Sequence, residues 1–164
     1  MTTEDISRVP HSVFSLDAVP VAEQFDVWRE SIGCLFEVDV PKERRAEGFR
    51  AELDAHVIGD LAMARTHTQA QEWARSSATI ARDGMYHLMI QIYEAGTMEF
   101  THRGREQVFG QDALVVFDLA QEMRSRTSDF TNLSLLLPRP LIEPLLKQGG
   151  DRHMQIISAQ RNPL

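Results

Sequence analysis

The sequence predicts a mainly β protein: a small antiparallel barrel or sandwich with one N-terminal and one C-terminal helix on its flanks. Between Met85 and Leu137, six short segments are rich in β-branched, aromatic or alternating apolar residues: Met85–Tyr93, Thr97–His102, Glu106–Phe109, Ala113–Asp118, Glu122–Thr127 and Asn132–Leu137. The breaks between them are turn chemistry: Asp83-Gly84, Gly96, Arg103-Gly104, Gly110-Gln111-Asp112 and Ser128-Asp129. At 164 residues the chain is one domain, long enough to bury a core. Short strands at even spacing with tight turns pack as a closed or two-layered sheet.

Taken in order, residues 1–19 have weak periodicity and read as a flexible arm, with Val13, Phe14 and Leu16 as apolar anchors that could cover a cavity. The remainder, residues 20–164, is one domain. Pro20 opens a helix, because its fixed φ suits a first turn and its missing N–H costs nothing there. Ala22, Phe25, Trp28, Ile32 and Leu35 fall on one helical stripe, and Gly33 ends it. Phe36–Val40 is a short strand stopped by Pro41, and Lys42–Glu47 a charged connection. Phe49–Val57 alternates, with Arg50, Glu52, Asp54 and His56 on the wet side. Gly59-Asp60 turns the chain into Leu61–Gln69, and Trp73–Arg82 is expected to be a less regular strand. After Pro138, Arg139–Gln148 carries Leu141, Ile142, Leu145 and Leu146 at helical spacing up to Gly149-Gly150. Pro144 should make this helix start late or bend. Met154–Ser158 can add a last strand.

Composition excludes several classes. The formal charge is −7, and the basic clusters (Lys42–Arg45, Arg103/Arg105, Arg124/Arg126) are short, so the chain is not expected to grip nucleic acid by itself. No apolar run approaches the ~18 residues a bilayer demands. Residues 1–12 carry acidic groups and no apolar export core, which makes the cytoplasm the expected compartment. Cys34, the single cysteine, rules out an intrachain disulfide and is expected to be buried as a small hydrophobe. There is no nucleophile elbow and no glycine-rich phosphate loop, so no catalytic residue is assigned.

The six histidines (His11, His56, His67, His87, His102 and His153) raise the question of a metal. Small barrels of the cupin type bind one through a His-x-His pair, whose i, i+2 spacing puts both imidazoles on one strand face. No such pair occurs here. His87 and His102 could converge from neighbouring strands beside Glu94 or Glu99, but no metal or cofactor is assigned. Met85–Tyr93 says more. Tyr86, Leu88, Ile90 and Ile92 form an apolar set read as core, while Met85, His87, Met89, Gln91 and Tyr93 mix large apolar and polar groups. A strand covered on both faces with that mixture describes a ligand cavity, or else core groups satisfied by backbone. Met98, Phe100 and His102, and Arg65 with His67, share its character. Trp73 and Arg75 could add an aromatic wall and a cation.

The order of these pieces resembles the AraC-binding-like sensor domain of AraC-family transcription regulators. The resemblance runs from Phe25 to Arg139. It is carried by Phe25-Asp26-Val27-Trp28-Arg29-Glu30, Phe49, Gly59-Asp60-Leu61, and Arg75 followed by Ile80-Ala81-Arg82-Asp83. Tyr86–Gln91 to Gly96, Gly104-Arg105, Val115–Asp118 and Leu135-Leu136-Leu137-Pro138-Arg139 complete it. Asp112-Ala113 stands where the family has a Gly-Asp turn, and an aspartate tolerates the left-handed backbone that turn needs. The resemblance implies a cupin-like barrel that senses a small molecule, helps dimerise, and biases a helix-turn-helix DNA-binding half. That half is not within these residues, so the chain reads as the sensor domain alone. The expected effector is a small organic molecule. Arg65, His67, Arg75 and His87 would match a polar head; Trp73, Met89 and Phe100 would hold an apolar body, with Gln91 and His102 alongside. Leu141, Leu145 and Leu146 are the candidate dimer contacts, unless they dock on the domain's own barrel. Two other readings stay open: a metal-dependent cupin enzyme of the dioxygenase or isomerase type, and an interaction module whose barrel is filled by its own side chains.

Overall fold

The computed structural model describes residues 9–144 and 150–158. Among them, twelve strands form two antiparallel sheets. The larger runs in the order β1 (His11–Ser15), β3 (Ala51–Ile58), β4 (Leu61–Thr68), β11 (Phe130–Leu137), β6 (Leu88–Ala95), β9 (Ala113–Asp118), β12 (Gln155–Ser158). The smaller runs β2 (Glu37–Asp39), β5 (Gln71–Arg75), β10 (Met123–Thr127), β7 (Met98–His102), β8 (Arg105–Phe109). Their inner faces enclose an aromatic core in which Trp73 meets Trp28 and Phe36 edge-on, and Tyr93 packs on Phe109 and Phe130. The expected β class, the two-sheet packing and the six-strand ladder are therefore present.

Turn chemistry fixes the register. Arg103 and Gly104 both take positive φ in the two-residue link between β7 and β8, as a right-twisted hairpin requires. Asp112 holds φ +63, so the turn survives without its glycine. Gly96 is irreplaceable on steric grounds: a Cβ there would lie 2.2 Å from the Asp129 carbonyl oxygen.

The first helix forms as expected. Pro20 precedes a 3-10 turn (Val21–Glu23) that leads into α1 (Gln24–Ile32), whose buried stripe is Phe25 and Trp28. Other expectations need correction. Residues 11–15, assigned to a flexible arm, pair with β3 from His11↔His56 to Ser15↔Glu52. Their alternation is too short and polar to stand out, and the partner strand supplies the order; residues 1–8 lie outside the described set. Lys42–Glu47 contains a short helix, α2 (Lys42–Ala46). Trp73–Arg82 is not one strand: β5 ends at Arg75 and α3 (Ser77–Asp83) follows. Ser76 caps α3 by accepting a hydrogen bond from the Thr79 N–H, and left-handed Gly84 closes it. The β-branched Thr79 and Ile80 masked that capping pattern. Cys34 is exposed, not buried. The C-terminal helix is described only as α4 (Arg139–Ile142), with Leu141 exposed; Leu145 and Leu146 lie outside the described residues.

The mixed face of β6 looks inward as expected, but the apolar set read as core is buried only at Leu88. Tyr86, just before the strand, and Ile92 on it are 53% and 44% exposed, whereas Met89, Gln91 and Tyr93 point between the sheets. The apolar set has neighbours on the outer face instead, where Leu135 and Leu133 of β11 and Val116 and Leu114 of β9 sit across from Ile90 and Ile92. Cross-strand packing on that face shields it in part.

Candidate functional site

The mixed face of β6 lines a cavity of about 70 Å³ between the sheets. β4 contributes Ala64 and Thr66, β11 contributes Asn132, Ser134 and Leu136, and Trp73, Met98 and Met123 form the opposite wall. Ile32, Leu35 and Phe36, at and just beyond the end of α1, cover one end. Small residues on β4 and polar ones at i, i+2 on β11 leave the space; period-two alternation aims them all inward.

Its walls are apolar, with a few polar groups set among them. Gln91 donates from Nε2 to Ser134 Oγ at 3.1 Å, but its Oε1 has no partner within the protein. Neither have Asn132 Oδ1 and the Tyr93 hydroxyl. Burial pushes the Tyr93 phenol well above its ordinary range, so it stays a protonated donor. The Asn132 side chain, across the strand pair from Tyr93, stands close enough to its phenol to oppose that shift, so these two can partly serve each other, while Gln91 Oε1 has no such neighbour. None of the three makes a well-formed bond within the protein, and buried polar groups rarely remain so. Two waters, or the polar end of a small molecule, would complete them.

α1 is held over this end by a closed relay. Trp28, 1% exposed, donates from Nε1 to Gln71 Oε1 at 2.8 Å. Gln71 Nε2 donates to Thr68 Oγ1 at 3.0 Å, and Thr68 to the Arg50 carbonyl at 3.3 Å. Gln24 adds a second tie, accepting from the Phe49 N–H at 2.9 Å and donating to the Val19 carbonyl at 3.2 Å.

Of the nine residues singled out as ligand contacts, the structure brings Trp73, Met89 and Gln91 to the cavity wall. Arg65 and His67 sit on the opposite, outer face of β4, where Arg65 pairs with Glu94 at 2.8 Å and His67 bonds Thr131 Oγ1 at 2.8 Å. Phe100 is buried under β8 against Phe109, and His102 meets His153 edge-on at 5.9 Å. His87 lies before β6, its Nδ1 unpaired and its carbonyl accepting from the Leu119 N–H at 3.0 Å. Neither His87 nor His102 joins a carboxylate in a metal-sized cluster among the described residues.

Arg75 is the sharpest correction. Its side chain is fully buried and every nitrogen is committed. It pairs with Asp83 at 2.6 and 2.9 Å and donates to the Leu119 and Leu35 carbonyls at 2.7 and 2.8 Å. No donor is left for an effector. The guanidinium holds the Asp83 carboxyl below its usual range, helped by the Met85 N–H. Tyr93, placed on the cavity face of its strand by the sequence, is there; the polar residues missed were Thr66, Asn132 and Ser134. The signal was present in the alternate polar positions of Asn132–Leu137, which interrupt an otherwise leucine-rich strand.

A second hollow of about 970 Å³, open to solvent, lies on the outer face of the smaller sheet. Its walls are charged, with Arg45 tied to Asp39 and Arg126 to Glu72.

Comparison with known proteins adds the class. Residues 28–162 match the AraC-binding-like domain model. The chain belongs to the AraC-binding-like family. It is similar in structure to the AraC-like transcriptional activator CuxR, with a TM-score of 0.83 over 92% of this chain at 22% sequence identity. The chain spans 55% of that activator's length. Likeness to the EutQ protein of Clostridium difficile (TM-score 0.39, 9% identity, 60% of this chain and 75% of that one) is far weaker. The same holds for a single-residue variant of Bacillus subtilis oxalate decarboxylase (0.35, 12%, 53% and 25%), and neither informs the chemistry. No curated protein sequence matches the chain significantly.

Within this AraC-binding-like domain, the residues that carried the family resemblance turn out to be mutual partners. Arg75 pairs with Asp83. Arg139 pairs with Asp118, donates to the Tyr86 carbonyl at 3.1 Å and stacks over the Tyr86 ring at 4.8 Å. In this chain those residues thus form two ion pairs that tie separate segments together. No helix among the described residues is long and apolar enough to cross a membrane.

Proposed function

We propose that the space between the sheets is an effector site, and that the domain reports its occupancy to a DNA-binding half of a transcription regulator. The observation that carries this is the set of three unpaired polar atoms, on Gln91, Asn132 and Tyr93, facing an apolar cavity beneath α1. They ask for a small, mostly apolar molecule with one acceptor and one or two donors. At about 70 Å³ the site admits a few heavy atoms, so a larger effector must displace Ile32, Leu35 and Phe36. Such displacement would couple occupancy to α1, because a ligand shifts an equilibrium only through its differential affinity for the two states. In this reading the protein is a non-enzymatic sensor of the cytoplasm. Its exposed Leu141 is available for pairing with a second copy.

A second reading has support in the same cavity, whose volume equals only about two waters. On it, the barrel is filled and serves as an interaction module. A thermal-shift and calorimetric panel of small acids, aromatics and sugars separates the two. The sensor reading expects at least one compound to bind, with Asn132→Leu weakening it about tenfold by removing one hydrogen-bond acceptor. Silence across the panel, or binding indifferent to both Asn132→Leu and Gln91→Leu, selects the filled barrel.

A further inference from the structure

A cluster outside the barrel is used by nothing described so far. The β1–β3 register sets His11 opposite His56, their rings stacked with centroids 4.4 Å apart and planes 10° from parallel. Asp54, two residues before His56, shares their outward face. Its Oδ1 lies 2.6 Å from His11 Nε2 and 3.1 Å from His56 Nε2. The three donor atoms all fall within 4.8 Å of one another.

We propose that His11, Asp54 and His56 bind a divalent late-transition-metal ion, with zinc as the test case, and that the ion clasps β1 to the sheet. Two imidazoles and one carboxylate form a borderline N/O donor set, which suits zinc, copper or nickel and not magnesium. Ligands on one tetrahedral zinc, each at about 2.0–2.2 Å, stand roughly 3.4 Å apart. The two Asp54 separations fall short of that value, so the carboxylate must draw back by a few tenths of an ångström. The two rings must also turn out of their parallel stack, because a zinc ion lies in the plane of each imidazole that holds it. The side chains are 46%, 52% and 36% exposed, which leaves an entry path and room for water as the fourth ligand. Arg65, opposite Asp54 on β4, is the one cation facing the site from the next strand, and its guanidinium is turned to Glu94.

The position gives the ion a consequence. β1 is an edge strand paired on one side only, and it carries Phe14, which packs on Trp28 at 5.9 Å, and leads into buried Leu16. A ligand that binds only the docked strand stabilises it by mass action. The ion therefore fastens the element lying against α1.

Untagged, chelator-stripped protein titrated with zinc chloride tests this. Calorimetry is expected to show one zinc per chain, weakened at least about tenfold in His11→Ala and in His56→Ala, with no uptake of magnesium. Copper titrated into the wild type should give an electron paramagnetic resonance spectrum with hyperfine coupling from two nitrogens. Both histidines are surface groups, and an unchanged melting curve without metal verifies that the variants fold. Absence of zinc binding up to millimolar concentration overturns the proposal. So does full-strength binding retained in the His11→Ala/His56→Ala double variant.

Discussion

Asp83→Ala is expected to destabilise the domain by about 3–5 kcal/mol, enough to unfold much of the population, because it strands a buried guanidinium without its counter-charge. A buried ion pair can often be exchanged for apolar groups at little cost. That escape is closed here. Arg75 also donates to the Leu119, Leu35 and Met85 carbonyls, so Arg75→Met would remove a donor from three carbonyl oxygens as well as from Asp83. Asp83→Asn, which keeps one acceptor, should lose less than the alanine variant. Urea unfolding followed by circular dichroism measures all three, and wild-type stability in Asp83→Ala would refute the assignment. The pair also sets a pH dependence. The folded carboxyl titrates below its unfolded value, so its contribution is present above the ordinary carboxylate pKa and is lost as pH falls through the folded one. Acid destabilisation should therefore flatten in Asp83→Asn.

This pair shows where the sequence was legible and where it was not. Arg75 and Asp83 are eight residues apart and stood out in the resemblance, yet Arg75 looked like a ligand cation. Nothing in a linear pattern reveals that three backbone carbonyls wait for the same guanidinium. The strands were legible because turn residues punctuate them and period-two alternation needs only one buried face. The segment after Arg75 was not, since β-branched Thr79 and Ile80 favour strand while the Ser76 cap and Gly84 favour helix, and the caps prevail. The mixed face of β6 was legible as the cavity face, but the exposure of its other face was hidden. Its outer face is as apolar as a core face because leucine and valine neighbours of the same sheet flank it there, so hydrophobicity alone overstates its burial. Asn132 and Ser134 emerged only once register placed them opposite Tyr93 and Gln91.

Trp28→Ala should show the other large effect, and it bears on function. Truncating a buried tryptophan costs about 3–5 kcal/mol through lost transfer energy and the cavity left behind. Here the indole also donates to Gln71, so its removal leaves an acceptor unpaired in the core, with the rest of the relay running on through Thr68 to the Arg50 carbonyl. Trp28→Phe keeps most of the volume and loses the donor, and is expected to cost about 1–3 kcal/mol for the unpaired buried acceptor. The two variants separate packing from hydrogen bonding at one position. Both loosen α1, whose end and the residues just after it cover the space between the sheets. If that space is an effector site gated by α1, Trp28→Phe should admit a displacing ligand faster and bind it more tightly, because the covered state that the ligand must displace is the one made less stable. Stopped-flow tryptophan fluorescence from Trp73, which stands in the cavity wall and remains the sole indole in this variant, reads association and dissociation directly. An association rate unchanged from wild type, despite the measured loss of stability, would show that α1 does not gate the site.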